Sequence, residues 1–275
     1  IAGEVERTAA AVTAGIEAYK FNEAAGAVYD FTWGTFCDWY LELTKPVLDG
    51  DDEAAKAETR ATTAWALDQI LKLLHPFMPF ITEELWAKRT QSRTGAPAAG
   101  EELLCLSAWP AFEGQADQRA DDEIGWLIAL IGEVRSVRSE MNVPGGAKIP
   151  LVLVGAGKAA RARAERYEET VKRLARIEAI SLAKTPPKGA AQIVLADVTA
   201  ALPLAGVIDV DAERARLERE IARNEAEIAK VDARLANADF VAKAPPEVIE
   251  ENRERKAAFE AAVKKLKAAL KRVAE

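Results

Sequence analysis

The 275-residue sequence predicts a mainly α protein: a helical bundle over 1–145, a small α+β module over 146–208 and a C-terminal antiparallel coiled-coil hairpin over 209–275. Three observations predict it. Apolar residues recur every three or four positions through the first part, composition turns rich in β-branched residues and glycine after Gly146, and two matched heptad runs flank Pro245-Pro246.

The first helix carries Val5, Ala9, Val12, Ile16 and Tyr19 on one face. The second runs from Asn22, an N-capping residue type, to Leu43, with Ala25, Val28, Phe36 and Trp39 turned inward. A third spans Asp51 to Leu74 and stops at His75-Pro76, because a proline disfavours helical backbone in the residue before it. A short helix after Pro79 holds Thr82, Glu83, Leu85 and Trp86, with Glu83 read as first-turn charge. Thr90 to Gly100 reads as a loop, and Gln118 to Met141 as a helix before the breakers Val143-Pro144-Gly145-Gly146. Tyr29, Phe31, Trp33, Phe36, Trp39 and Tyr40 fall on more than one helix face; most are expected to pack inside the bundle.

In the module, Ile149 to Val154 is a strand, Gly155-Ala156-Gly157 a turn and Lys158 to Ala175 a helix. Ile177 to Leu182, Ala191 to Ala196 and Ala200 to Leu204 are short strands divided by Pro186-Pro187-Lys188-Gly189 and Asp197. The final heptads place Leu217, Ile221, Asn224, Ile228, Val231 and Leu235 on one seam. The other holds Ile249, Asn252, Lys256, Phe259, Val263, Leu266, Leu270 and Val273. Each helix is about 42 Å long at 1.5 Å per residue. Folding back around Asn237 to Pro246 pairs Leu235 with Ile249, Val231 with Asn252, Asn224 with Phe259 and Ile221 with Val263.

No run of eighteen apolar residues exists to span a membrane, and the N-terminus has neither the basic nor the apolar stretch of a signal peptide. A cytoplasmic protein is expected. The chain opens without Met inside a helical pattern, so it reads as a piece of something larger. Cys37 and Cys105 have no partner at metal or redox spacing and are expected to be reduced core residues. The only histidine, His75, reads as a helix-end residue rather than a base.

The net charge of −7 argues against general polyanion binding, yet it conceals a gradient. Residues 253–272 hold eight Lys or Arg against two Glu, while the first 252 carry a net charge of −12. Lys230 and Arg234 on the first heptad helix lie level with Arg253 and Arg255 on the second. Cations gathered there can hold phosphates, and an arginine plane can stack on a base. A self-associating structural coiled coil remains the alternative. No glycine-rich loop has the following Lys-Ser/Thr or third Gly that phosphate binding needs, and no carboxylate pair stands out.

Several runs resemble one family. "FNEAAGAVYDFTWGTFCDWYLELTKP" (Phe21 to Pro46), "LLHPFMPFITEELW" (Leu73 to Trp86), "VRSVRSEMNVPGGAKIPL" (Val134 to Leu151) and "LPLAGVIDVDAERARLEREI" (Leu202 to Ile221) look like the C-terminal part of bacterial valyl-tRNA synthetases. "FVAKAPPEVIEENRERK" (Phe240 to Lys256) resembles the turn and second helix of their coiled-coil arm. The "LLHPFMPFITEELW" run is shared with isoleucyl and leucyl relatives; the arm separates the valyl enzymes from them. The resemblance implies valine tRNA and the remainder of a synthetase chain as partners of a monomer, with no membrane partner. The bundle would meet the anticodon stem-loop, with Leu41 and Lys45 on that side. The arm would meet the tRNA elbow through Lys230 and Arg255, with Arg234 and Arg253 beside them. The full enzymes use ATP with Mg to ligate valine and also edit mischarged tRNA. Their H-x-G-H and K-M-S-K-S type signatures are absent here, so this stretch is expected to need no cofactor and to be non-catalytic.

Overall fold

The computed structural model describes residues 1–94, 103–195, 197–237 and 245–274. Packing divides the chain into Ile1–Gly125 and Trp126–Glu275, a division that falls inside a helix and ahead of the expected boundary at 145.

The first unit contains α1 (Ala2–Glu17), α2 (Phe21–Asp30), a π-helical stretch (Phe31–Tyr40), α3 (Leu41–Asp49), α4 (Glu53–Leu74), α5 (Pro79–Thr94) and a 3-10 turn (Leu104–Leu106). α1 ends where Tyr19 adopts a left-handed φ of 59° and Lys20 N–H donates to the Gly15 carbonyl at 2.8 Å, the bond that closes a Schellman turn. Tyr19 therefore leaves the inner face and is 83% exposed. α2 starts one residue earlier than expected, at Phe21, so Asn22 lies inside the first turn and does not cap it. Gly15 is required where α1 meets α2, since a Cβ there would stand 2.9 Å from that of Ala24.

Helical backbone angles continue through both ends of the π stretch, so α2 to α3 is one rod reaching Asp49, past the expected end at Leu43 and through Pro46. The π turn has a reason in the sequence. Phe31 and Phe36 are both buried, yet residues five apart diverge by about 140° on an α-helix; the wider π turn returns them to one face. Two core clusters result. Val5, Phe31, Phe36, Ala66 and Ile70 form one, and Ala9, Val12, Ala24, Val28 and Leu73 the other, with Leu74 and Phe112 packed against both. Asp52, next to the expected start at Asp51, caps α4 by accepting from the N–H groups of Ala54 and Ala55.

His75 does end α4, and its Nδ1 lies 2.8 Å from Thr82 Oγ1. α5 is longer than expected and helical as far as Thr94, into the anticipated loop from Thr90; positions 95–100 of that loop lie outside the described residues. Glu83 is not first-turn charge. Its carboxylate accepts from the N–H groups of Leu104 at 2.7 Å and Cys105 at 3.3 Å, which holds the 3-10 turn. That turn leaves Cys105 exposed, whereas Cys37 packs against the core as expected; both thiols are free.

α6 (Gln118–Glu140) supplies the second unit with Leu127, Leu130, Ile131, Val134 and Val137, all fully buried. β1 (Ile149–Val154), α7 (Lys158–Arg166), α8 (Glu168–Ala175), β2 (Ile177–Ala183), β3 (Ala190–Val194) and β4 (Thr199–Pro203) follow. The sheet order is β2-β1-β4-β3, with β1 and β2 parallel and the other pairs antiparallel. The parallel pair needs a crossover, which α7 and α8 provide; the expected single helix breaks at Tyr167. β3 stops at Val194, and Ala196 of the expected strand lies outside the described residues. Trp126 Nε1 donates to Asp197 at 2.9 Å, tying α6 to the β3–β4 connection. The sheet then feeds α9 (Val210–Ala236), capped by Asp209, and α10 (Pro246–Ala274) returns alongside it to pack near β3. Among the described residues no helix is long and apolar enough to cross a membrane.

Candidate nucleic-acid interface

α9 and α10 form the antiparallel hairpin that the heptads predict. Leu217, Ile221, Val231, Asn252 and Val263 are buried along the seam. Among the described residues, ion pairs cross it from Arg255 to Glu227 at 3.7 Å, Lys256 to Asp232 at 2.6 Å and Lys267 to Glu225 at 2.7 Å. Toward the base Ala269, not one of the expected seam residues, is 2% exposed. The side chain of Val273 and the "FVAKA" part of the turn lie outside the described residues.

The base is held by Arg216, which the sequence reading did not single out. Its Nη2 donates to the Glu140 carbonyl at the end of α6 at 3.1 Å, while Nε and Nη1 engage Glu213 at 3.0 Å and Glu220 at 2.6 Å. Those carboxylates raise its pKa further above the ordinary guanidinium value. A lone two-helix hairpin buries only one stripe, so an anchor of this kind supplies support the seam lacks.

Asn224 and Asn252 donate to the carbonyls of Glu220 and Val248 on their own helices, at 2.8 and 2.7 Å. Lys256, a charged residue in the seam, bends outward to Asp232 and also reaches Glu260 at 3.7 Å; the hydrogen bond to Asp232 is the main reason its pKa rises. The seam therefore tolerates it by snorkelling.

Lys230 and Arg255 come together from opposite helices. Both reach Glu227, Lys230 at 2.6 Å and Arg255 at 3.7 Å, and they remain 69% and 55% exposed. Arg255 also lies over the ring of Phe259 at 5.5 Å, which holds its plane in place. The Lys230 hydrogen bond, helped by the charges of Lys230, Arg255 and Arg223, keeps the Glu227 carboxyl below the usual carboxylate range. Arg253 is exposed and pairs with Glu250 on its own helix at 3.3 Å. Arg234, nearer the turn, is exposed and has no ion pair among the described residues. The same is true of Lys264, Lys265 and Lys271 on the outer side of α10. Exposed pairs of this kind exchange readily with an incoming anion.

On the bundle, Leu41 is half-buried against the first core cluster, and Lys45 pairs with Glu42. The expectation that the aromatics pack inside holds for Phe31 and Phe36, with Tyr40 stacked on Phe36 at 5.7 Å. It fails for Tyr29 and Trp33, which are 62% and 60% exposed. The excess of aromatics over a single helix face carried that signal.

Two family models and a set of curated relatives match the chain. Residues 1–153 match the family described as the anticodon-binding domain of tRNA ligase, and residues 209–274 match the valyl tRNA synthetase tRNA binding arm. The chain is 54% identical over its full length to the valine–tRNA ligase of Caulobacter vibrioides, of which it covers 30%. Over 98% of its length it is 52% identical to that of Mesorhizobium japonicum, of which it covers 29%. Over 99% it is 52% identical to that of Rhizobium meliloti, of which it covers 28%. The chain thus spans less than a third of these curated relatives.

Proposed function

Because the chain belongs to the anticodon-binding family of tRNA ligases and carries the valyl-tRNA synthetase arm, we propose that it is the part of a valine–tRNA ligase that grips valine tRNA at two places. The bundle takes the anticodon stem-loop on the side of Leu41 and Lys45. The hairpin takes the tRNA elbow through Lys230 and Arg255, flanked by Arg234 and Arg253. Recognition is by shape and phosphate contact, with the Arg255 plane available for stacking. Valine activation with ATP and Mg, transfer and editing belong to the remainder of the synthetase, a cytoplasmic monomer; this stretch is non-catalytic.

One observation carries the reading: Lys230 and Arg255 meet at the Glu227 carboxylate from opposite helices while both stay exposed. A cation pair fixed by the hairpin register, rather than scattered along one helix, is preorganised for a folded polyanion. Charge reversal of both, K230E with R255E, should weaken tRNA binding more than tenfold at low salt and flatten its salt dependence, with helicity unchanged. Unchanged tRNA affinity in the double variant would remove the arm from the interface. Sedimentation of the same samples checks the alternative; a concentration-dependent dimer indifferent to tRNA would make the hairpin a self-association device.

A further inference from the structure

At one end of the first unit, α1 finishes, α2 begins and the turn from α4 to α5 closes over the same core cluster. Ile16 and Phe77 pack there against Ala9, Val12, Ala24 and Leu73. Outside that layer the large apolar side chains stand in solvent. Phe80 is 91% exposed, Tyr19 nearly as much, and Phe21, Met78 and Ile81 about half. Tyr19 and Phe21 meet edge to face with centroids 6.3 Å apart. The α4–α5 turn is braced as well: Pro76 and Pro79 fix their own φ angles, and buried Thr82 donates to the Met78 carbonyl at 2.8 Å. Apolar surface held outward in this way is unfavourable in water until something covers it.

The charges at this end argue against RNA as the cover. From Ile16 to Glu23 and from His75 to Glu84, the carboxylates are Glu17, Glu23, Glu83 and Glu84, against Lys20 alone. Lys20 is itself tied to Glu23 at 3.0 Å. A phosphate backbone would find no cation to replace its counterions. The side of Leu41 belongs with the other core cluster, so the two surfaces are separate. Size argues against an independent partner. Three aromatic side chains supply several hundred Å² at roughly 150–250 Å² each, the scale of a contact within one chain rather than of a stable complex. Tethering makes so small an interface sufficient, because it supplies a millimolar-scale effective concentration. The matched relatives carry more than two thirds of their length beyond this stretch.

We propose that the apolar end bearing Tyr19, Phe21, Met78, Phe80 and Ile81 is the docking surface for the remainder of the synthetase chain. The identity of that occupant rests on the reading above. The bundle then has two working sides, one apolar and acidic for protein, the other, at Leu41 and Lys45, for RNA.

The test joins these 275 residues to the remaining portion of the Caulobacter vibrioides enzyme. Hydroxyl-radical footprinting then compares that full-length chain with the 275 residues alone, both without tRNA. Oxidation of Tyr19, Met78 and Phe80 should fall about threefold or more in the full-length chain, as their exposed side chains are covered. F80D, at an exposed position that leaves helicity unchanged, should restore the oxidation of Tyr19 and Met78 there. Equal oxidation in the two chains would overturn the proposal. So would protection that needs added tRNA, which would make RNA the occupant. Protection of the 275 residues alone that grows with concentration would overturn it in favour of a second copy. Full-length protection alongside unchanged tRNA binding by K230E/R255E would uphold this surface and remove only the arm from the grip on tRNA.

Discussion

Glu227 pairs with both Lys230 and Arg255, the two cations proposed to meet the RNA backbone. It orients both cations, and it also competes for them. The lowered pKa sets the sign of the pH effect: the carboxylate stays charged to lower pH than an ordinary one, so its pairing contribution to stability is present above the unfolded value and is lost as pH falls through the lowered one. Mild acid will therefore not free the cations. E227Q will, and should tighten tRNA binding roughly two- to fivefold at low salt by removing one like charge from the phosphate. Weaker binding of E227Q in a filter or fluorescence titration would mean that orientation outweighs competition. Heptad register brings Lys230, Arg234, Arg253 and Arg255 level in the sequence, and the family resemblance singled out Lys230 and Arg255 among them. Glu227 was not legible there, since its role depends on side-chain conformations that charge counting ignores. Tyr19 was misread for a related reason: its spacing fits the inner face of α1, but it ends that helix in a conformation usually left to glycine.

The hairpin owes its register to a period, and periods are what a sequence displays best. Its weak points are the polar seam residues. Asn252 is 8% exposed and spends its amide on its own helix, at the Val248 carbonyl, so in this register it adds polarity to the seam without a cross-helix bond. N252L should raise the thermal stability of the hairpin by about 1–2 kcal/mol through added apolar burial. A loss of stability in denaturant titrations would show that the asparagine makes a seam contact worth keeping. The π-helical stretch is the opposite case. Nothing in a 3.6-residue period announces it, and only the five-residue interval between two buried phenylalanines records it. Short strands and turns in the module were legible because glycine and proline punctuate them. The break at Tyr167 was not, since no breaker residue marks it.

Where the chain divides is a question of which surface α6 covers. Its spacing and the breakers after it assign the whole helix to the bundle, and the breakers do mark a turn. Packing instead groups Trp126 onward with the sheet. Arg135 and Arg138 bond to the carbonyls of Leu174 and Arg176, Trp126 to Asp197, and Arg216 of the hairpin base to Glu140 at the end of α6. Sheet, hairpin base and α6 are thereby one cooperative body, and the sheet is too small to keep a core without the helix. A piece beginning at Gln118, which retains α6 whole, should give a single cooperative unfolding transition and native near-ultraviolet dichroism. A piece beginning at Gly146 should lose that near-ultraviolet signal while its hairpin keeps far-ultraviolet helicity, because every anchor just named has been cut away. Equal cooperativity in the two pieces would return α6 to the bundle.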